Sequence, residues 1–270
     1  MRPQIQLPAG TNAGSLTERS QRRPVRWWHE LILVAGFYAV YDAIRGVIAG
    51  SIPRAQSDAA DLLRWEHWSH LDPEHALNNA LQHISILAVP ACYFYATLHF
   101  IVTPAVLIWT YKARPAAYRN ARTVLGIVTA SALLGFWRFP TAPPRLLIAG
   151  GFHDTLAAYG NWGWWGSDAS VPAGAAAIAN QFAAMPSLHL AWAAWCGVTV
   201  FRLTSRRWLR GLALAYPVLT ALVVLGTANH YLADVVAGAG LWALADLGVR
   251  HLAHSAPIAS RGAVRQASPE

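Results

Sequence analysis

Of the chain's 270 residues, 55% are hydrophobic and only 13% are charged, with thirteen Trp and nine Tyr among them. An average soluble chain is about 25% charged, so the composition excludes an ordinary water-soluble domain and favours a membrane protein, whose Trp and Tyr collect at the lipid–water boundary. The net charge of +8 does not make nucleic acid a partner. A nucleic-acid surface gathers its basic residues on one water-facing side, whereas these lie in short clusters between apolar runs. Cys92 and Cys196 both fall inside such runs and read as small buried residues rather than as a disulfide.

In chain order, residues 1–26 carry five Arg among Pro, Gly, Gln and Ser and read as a disordered tail. Arg22-Arg23 has the look of a twin-arginine signal, but the apolar stretch after it is long and lacks a small-residue cleavage site, so an uncleaved anchor is expected. Six transmembrane helices follow, at about 27–49, 84–111, 120–138, 183–201, 209–228 and 231–249, with a second disordered tail over 251–270. The fold class expected is therefore an all-α integral membrane domain over 27–250. Pro90 and Pro104 should bend the second span. Sixteen of the 21 Lys and Arg fall in 1–26, 112–122, 202–210 and 250–270. By the positive-inside rule this places both termini in the cytoplasm, in a multi-pass protein of the plasma (cytoplasmic) membrane. Between spans one and two, residues 57–83 alternate Leu and Trp with acidic residues, as in a helix lying in the interface plane. The loop from Phe139 to Phe182 is too long for a passive connector and reads as a structured outer loop, with Trp162, Trp164 and Trp165 as an aromatic belt or a lid.

Three short stretches place polar residues at one membrane depth, on the outer side. Arg138-Phe-Pro-Thr-Ala-Pro-Pro-Arg145 closes the third span, Met185-Pro-Ser-Leu-His189 opens the fourth, and Asn229-His-Tyr-Leu-Ala-Asp234 opens the sixth. His230 and Asp234, four apart at a helix start, share a face, so the carboxylate can orient the imidazole and leave its other nitrogen free as nucleophile or base. Pro186 suits a first helical position, which would turn the amides of Ser187, Leu188 and His189 outward as an anion site. Arg138 and Arg145 supply charge-assisted donors that fit phosphate. Together these are parts for handling a phosphoryl group.

With these residues the chain resembles the type 2 phosphatidic acid phosphatase superfamily, defined by Lys-x6-Arg-Pro, Pro-Ser-Gly-His and Ser-Arg-x5-His-x3-Asp in that order. Arg138 and Arg145 match the first motif with Arg for Lys and Leu146 for the proline. Pro186, Ser187 and His189 match the second with Leu188 for the glycine. His230 and Asp234 match the third, with Val223 and Val224 at the Ser-Arg positions. The Pro-Ser-Leu-His and His-Tyr-x-x-Asp wording is similar to the inositol phosphorylceramide synthase-like branch. The resemblance implies a membrane-embedded, metal-independent lipid phosphatase or phosphotransferase acting on a lipid phosphate or diphosphate. It implies His230 as a nucleophile forming a phosphohistidine, His189 as acid for the leaving group, and Asp234 as the orienting carboxylate. It also implies Arg138, Arg145 and Ser187 as phosphate ligands, with no cofactor. Asn229 or Thr227 could take the place of the Arg that Val224 lacks.

Blander readings stand beside these. A His-x3-Asp at a span end is often a local cap, and Arg138 can be a snorkelling anchor. Asp42 and Arg45, three apart near the outer end of the first span, either pair with each other or touch substrate. His67, His70, His75 and His83 with Asp72 could suggest a metal, but an interfacial helix is naturally rich in His, and no metal is expected there. A non-catalytic lipid-binding or transport protein remains the reading from another class. The sequence leaves the oligomeric state open.

Overall fold

The computed structural model describes residues 28–30, 32, 33, 36, 39, 52–148, 150–165 and 182–255. Residues up to Ala39 form one compact unit, helical where described; the chain from Val40 onward forms a second. Most of the expected first span, including Asp42 and Arg45, lies outside the described residues, as do 166–181 of the long loop.

The second unit is helical: α1 (Ile52–Ser69), α2 (Pro73–Gln82), α3 (Ser85–Ala113), α4 (Pro115–Arg138), the short α5 (Thr155–Ala158), α6 (Leu188–Leu203), α7 (Arg207–Gly226) and α8 (Leu232–Ser255). Among the described residues, α3, α7 and α8 are long and apolar enough to cross a bilayer, and each buries only about a third or less of its most apolar window inside the protein. Their outward faces carry Phe100, Ile101, Ile108, Leu212, Val218, Leu222, Leu244 and Leu247, all exposed, which is the pattern of a lipid-facing surface and marks the chain as a membrane protein.

Three expected boundaries differ. The third span was expected from residue 120, but its helix starts at Pro115, where proline suits a first turn. That adds Tyr118 and Arg119 to the start of α4 and lowers its hydropathy. The fourth was expected from residue 183, but α6 begins only at Leu188 and has 16 residues, about 24 Å of helix against a hydrocarbon core of about 30 Å. It packs against α3, α4, α7 and α8, so a helix wrapped by neighbours needs no full lipid-facing face. The sixth continues to Ser255, into the stretch expected as a tail. The first expected span is described only in part, and among the described residues three of the six expected spans are long apolar helices.

Residues 57–83 form two helices rather than one interfacial helix. The break falls at His70, whose φ of 57° is left-handed, followed by Asp72 and a proline at the start of α2. The inward face is small and polar: Ala55, Ala59, Glu66, Glu74 and Asn78 are buried, while Trp65 and Trp68 are exposed. Burial, and then a hydrogen bond with Glu74, push the Glu66 carboxyl up to about 9. Its Oε1 accepts from the Ala233 amide at 2.7 Å and so caps the start of α8.

The core runs through the centre of the bundle. Toward one end Cys92, Tyr95, Leu156, Trp165, Leu190 and Val224 pack together, and toward the other Val128, Ala191, Trp195, Cys196 and Ala245. Both cysteines are free and buried. Polar ties lace α6 to its neighbours, with Trp192 Nε1 donating to Thr129 Oγ1 at 3.0 Å and Trp195 Nε1 to the Ala121 carbonyl at 2.8 Å. Farther along, Asp246 on α8 receives a two-point contact from Arg202 of α6 (2.7 and 3.1 Å) and a second from Arg250.

Asn78 fastens the long loop to this bundle. Its Nδ2 donates to the His153 carbonyl, Thr155 Oγ1 and the Gly226 carbonyl at 2.9–3.2 Å, and its Oδ1 accepts from the His153 amide at 2.8 Å. Asn78→Ala strands four hydrogen-bonding groups in two other segments, those of Thr155 and Gly226 buried. It should lower unfolding free energy by about 2–4 kcal/mol, read as a drop in melting temperature in detergent micelles. An unchanged melt would remove Asn78 from this role.

Candidate active site

α6 and α8 begin, and α4 and α7 end, around one cluster of polar side chains. Glycines let these ends approach. A Cβ on Gly238 of α8 would lie 2.3 Å from the Ser187 carbonyl oxygen, and one on Gly135 of α4 would lie 2.6 Å from Pro186 Cδ. The Pro186-Ser187 turn is thus held between two helix backbones. The chain around Thr141 runs beside the segment entering that turn, with the Thr141 amide donating to the Phe182 carbonyl and the Ala184 amide to the Thr141 carbonyl. This joins the stretch after Arg138 to the stretch before His189, 40-odd residues later in the chain.

At the centre, His230 Nδ1 lies 3.3 Å from Asp234 Oδ2, and His230 Nε2 lies 3.4 Å from His189 Nδ1. His230 is 4% exposed and Asp234 fully buried. A buried carboxylate holds a hydrogen on Nδ1 and leaves the Nε2 lone pair facing His189. Asp234 Oδ2 also accepts from the Tyr231 amide at 3.0 Å, and the Asp234 carbonyl accepts from the Ser187 amide at 2.9 Å. The third and second motifs therefore share a backbone hydrogen bond as well as the histidine contact.

Ser187 is the N-cap of α6 rather than part of its first turn, its Oγ accepting from the Leu190 amide at 3.4 Å. The expected anion site is narrower as a result. The Ser187 amide is engaged with Asp234, so the Ser187 hydroxyl hydrogen and the amides of Leu188 and His189 are what this turn offers. The His189 ring stacks on Tyr95 (4.7 Å between centroids) and meets the edge of His99 (4.5 Å). Both neighbours lie on α3, and sequence reading missed them. Their one signal is spacing, Tyr-x3-His inside an apolar span.

Arg145 sits in a short 3-10 turn, Pro144–Leu146, with its amide donating to the Ala228 carbonyl at 2.8 Å. Its Nε donates to Asn229 Oδ1 and its Nη1 to Asp154 Oδ2, both at 2.9 Å. Asp154, unassigned from sequence, also caps α5 through the Ala157 amide. Asn229 and Thr227 differ from the expectation of direct phosphate donors. Asn229 Nδ2 is bound to the Thr227 carbonyl and hydroxyl, and Thr227 donates its own hydroxyl to the Val223 carbonyl. Both are buried, and their polar atoms hold Arg145 in place. Val224 is 1% exposed within the core, and its carbonyl accepts the amides of Asn229 and His230.

Arg138 is not drawn into this cluster. It is exposed at the end of α4, with its guanidinium over the Phe139 ring (5.0 Å) and its carbonyl bound by Arg54 of α1. The Trp group divides as well. Trp162 and Trp164 are exposed, while Trp165 is fully buried against Tyr93.

Gly238 and Gly240 test whether the close approach at Ser187 matters. A Cβ on Gly240 meets nothing within 4 Å, so Gly240→Ala should be neutral or stabilising by about 0.5–1 kcal/mol through helix propensity. Gly238→Ala must push the Ser187 turn off α8 and should cost about 1–3 kcal/mol. Equal melting temperatures for the two variants would contradict the geometry.

The sequence profile of the PAP2 superfamily matches residues 60–247. No curated protein and no solved structure matches the chain.

Proposed function

The chain belongs to the PAP2 superfamily, whose members are generally phosphatases, and on that premise we propose that it is a lipid phosphatase or phosphotransferase working through a phosphohistidine at His230. The observation that carries this reading is the alignment of Asp234, His230 and His189, with His230 Nε2 turned to His189 Nδ1 at 3.4 Å. The His230 Nε2 lone pair attacks phosphorus and forms a P–N bond. The P–O bond to the leaving group breaks, and His189 gives its Nδ1 proton to the departing oxygen. In the second step His189 takes a proton from water or an alcohol, whose oxygen attacks phosphorus as the P–N bond breaks. Water makes the protein a phosphatase; an alcohol makes it a transferase.

The charge on phosphorus is met by the free edge of the Arg145 guanidinium, the Ser187 hydroxyl and the first amides of α6. Asn229, Thr227 and Asp154 position Arg145, and Arg138 reaches a phosphate from the rim. Neutralisation by a guanidinium and a helix start leaves the chemistry independent of a metal ion. The segregation of sixteen of 21 basic residues supports six spans, both termini in the cytoplasm and the site on the outer face of the cytoplasmic membrane. The Pro-Ser-Leu-His and His-Tyr-x-x-Asp wording supports the inositol phosphorylceramide synthase-like branch as the alternative, in which the acceptor is an alcohol such as inositol. One observation favours a second reading, a non-catalytic lipid-phosphate binder. Val224 stands in the core where the family motif has arginine, leaving one cation fewer.

Purified protein, supplied with lipid phosphates and diphosphates with and without inositol, separates these readings. His230→Ala should abolish turnover of every substrate. His189→Ala should fall far less on a nitrophenyl phosphate than on an alkyl phosphate, because a good leaving group needs little protonation. Equal losses on both substrates would remove the assigned roles, and no turnover by the wild-type chain would favour the binder.

A further inference from the structure

We propose that His67, Asp72 and His75 form a binding site for a divalent first-row transition metal, with Zn²⁺ as its natural fit. The site would pin the end of α1 to the start of α2, beside the loop that His75 touches through the Gly150 carbonyl, and it stands apart from the phosphoryl chemistry proposed above. Each of the three residues offers one ligand atom, and those atoms all lie within 4.8 Å of one another. Donors about 2.0–2.1 Å from a tetrahedral zinc stand roughly 3.4 Å apart, so side-chain rotation alone closes the gap.

The strongest argument is the state of His75. Its Nε2 lies 2.9 Å from the Gly150 carbonyl oxygen, and a carbonyl only accepts, so the ring hydrogen is on Nε2. Nδ1 therefore carries a lone pair, and that atom is buried with no hydrogen-bond partner. A ring nitrogen tied to a backbone carbonyl, with the opposite lone pair bare, is how metal-ligating histidines are held. Phe152 stacks on the same ring at 3.9 Å between centroids and fixes its plane. The Gly150 carbonyl is presented by a turn that needs glycine at 151, where φ is +73°.

The other two donors come together because the chain reverses. His67 lies in the last turn of α1, the left-handed His70 breaks the helix, and the Leu71 amide folds back onto the Glu66 carbonyl at 2.9 Å. This returns Asp72 to His67, with His67 Nδ1 3.4 Å from Asp72 Oδ2. The two side chains are 53% and 34% exposed, which gives an ion a path from water. Two imidazoles with one carboxylate suit zinc and its first-row neighbours. Magnesium and calcium prefer oxygen ligands throughout. Three protein ligands also leave a fourth position for water.

The test uses the tag-free, full-length chain in detergent, loaded with Zn²⁺, dialysed against metal-free buffer and assayed for zinc by mass spectrometry. The wild type should retain one zinc per chain and melt several degrees higher than its EDTA-treated form. With Co²⁺ in place of zinc it should show the visible absorption of a low-coordinate His/carboxylate site. His75→Ala and Asp72→Asn should retain little or no metal and show no zinc-dependent melting shift, while His83→Ala, outside the triad, should behave as wild type. If His75→Ala does not fold, Asp72→Asn alone decides, since it keeps the size of the side chain and removes its charge. A wild type that retains no zinc, or Asp72→Asn retaining as much as wild type, would overturn the proposal.

Discussion

The buried Asp234 carboxylate is the constraint around which the rest of the site is arranged. A carboxylate taken fully out of water is costly unless its oxygens are bonded; Oδ2 is bonded twice, to the His230 ring and the Tyr231 amide, while Oδ1 has no hydrogen-bond partner. The same residue's backbone carbonyl receives Ser187. One residue thus fixes the ring that faces His189 and the turn from which His189 departs. The inward polar face of α1 and α2 follows from this: Glu66 caps the helix that begins beside Asp234, and its carboxyl is held up at about 9 by burial and Glu74. Three carboxyl groups share a small interior, and burial raises both glutamates, which limits the negative charge near a site meant for an anion.

The positive side of the site rests on a single well-held guanidinium. Arg145 has its backbone tied to Ala228 and two of its side-chain nitrogens tied to Asn229 and Asp154, so it arrives at the cluster with little freedom left to lose. The family arginine that Val224 replaces has no room here, because that position belongs to the core around Tyr95 and Trp165. On the proposed chemistry, rigidity at Arg145 and the start of α6 take over what a second guanidinium would do, since preorganised donors stabilise charge more effectively than mobile ones.

Much of this was legible from residue order. The pairing of His230 with Asp234 follows from four-residue helical spacing, and an all-helical membrane fold follows from long apolar runs. His189 could be placed near them because three polar stretches fall at one depth. The rest depends on contacts between segments far apart in sequence. Asn78, 75 residues before His153, looks like any polar residue of an interfacial helix until its four bonds are seen. Asp154 is one carboxylate in a Gly- and Trp-rich loop, and only the fold of that loop shows it reaching Arg145. His99 and Tyr95 sit in an apolar span where only their Tyr-x3-His spacing sets them apart. Span lengths misled for a related reason: hydropathy measures how well a segment suits lipid, and α6 is surrounded by other helices. The interfacial segment misled because Trp65, Trp68 and Leu71 face outward, while its buried side combines alanines and acids with Leu62 and Leu63 packed beside them.

The central claim is that His230 carries the phosphoryl group. Protein mixed with a lipid phosphate labelled in the phosphoryl group and quenched within milliseconds, in excess EDTA, should yield a covalent label. That label should survive alkali and be lost in acid, as a phosphoramidate is, and a peptide map should place it on His230. A label elsewhere, or steady turnover with no trapped label and retained by His230→Ala, would contradict the account.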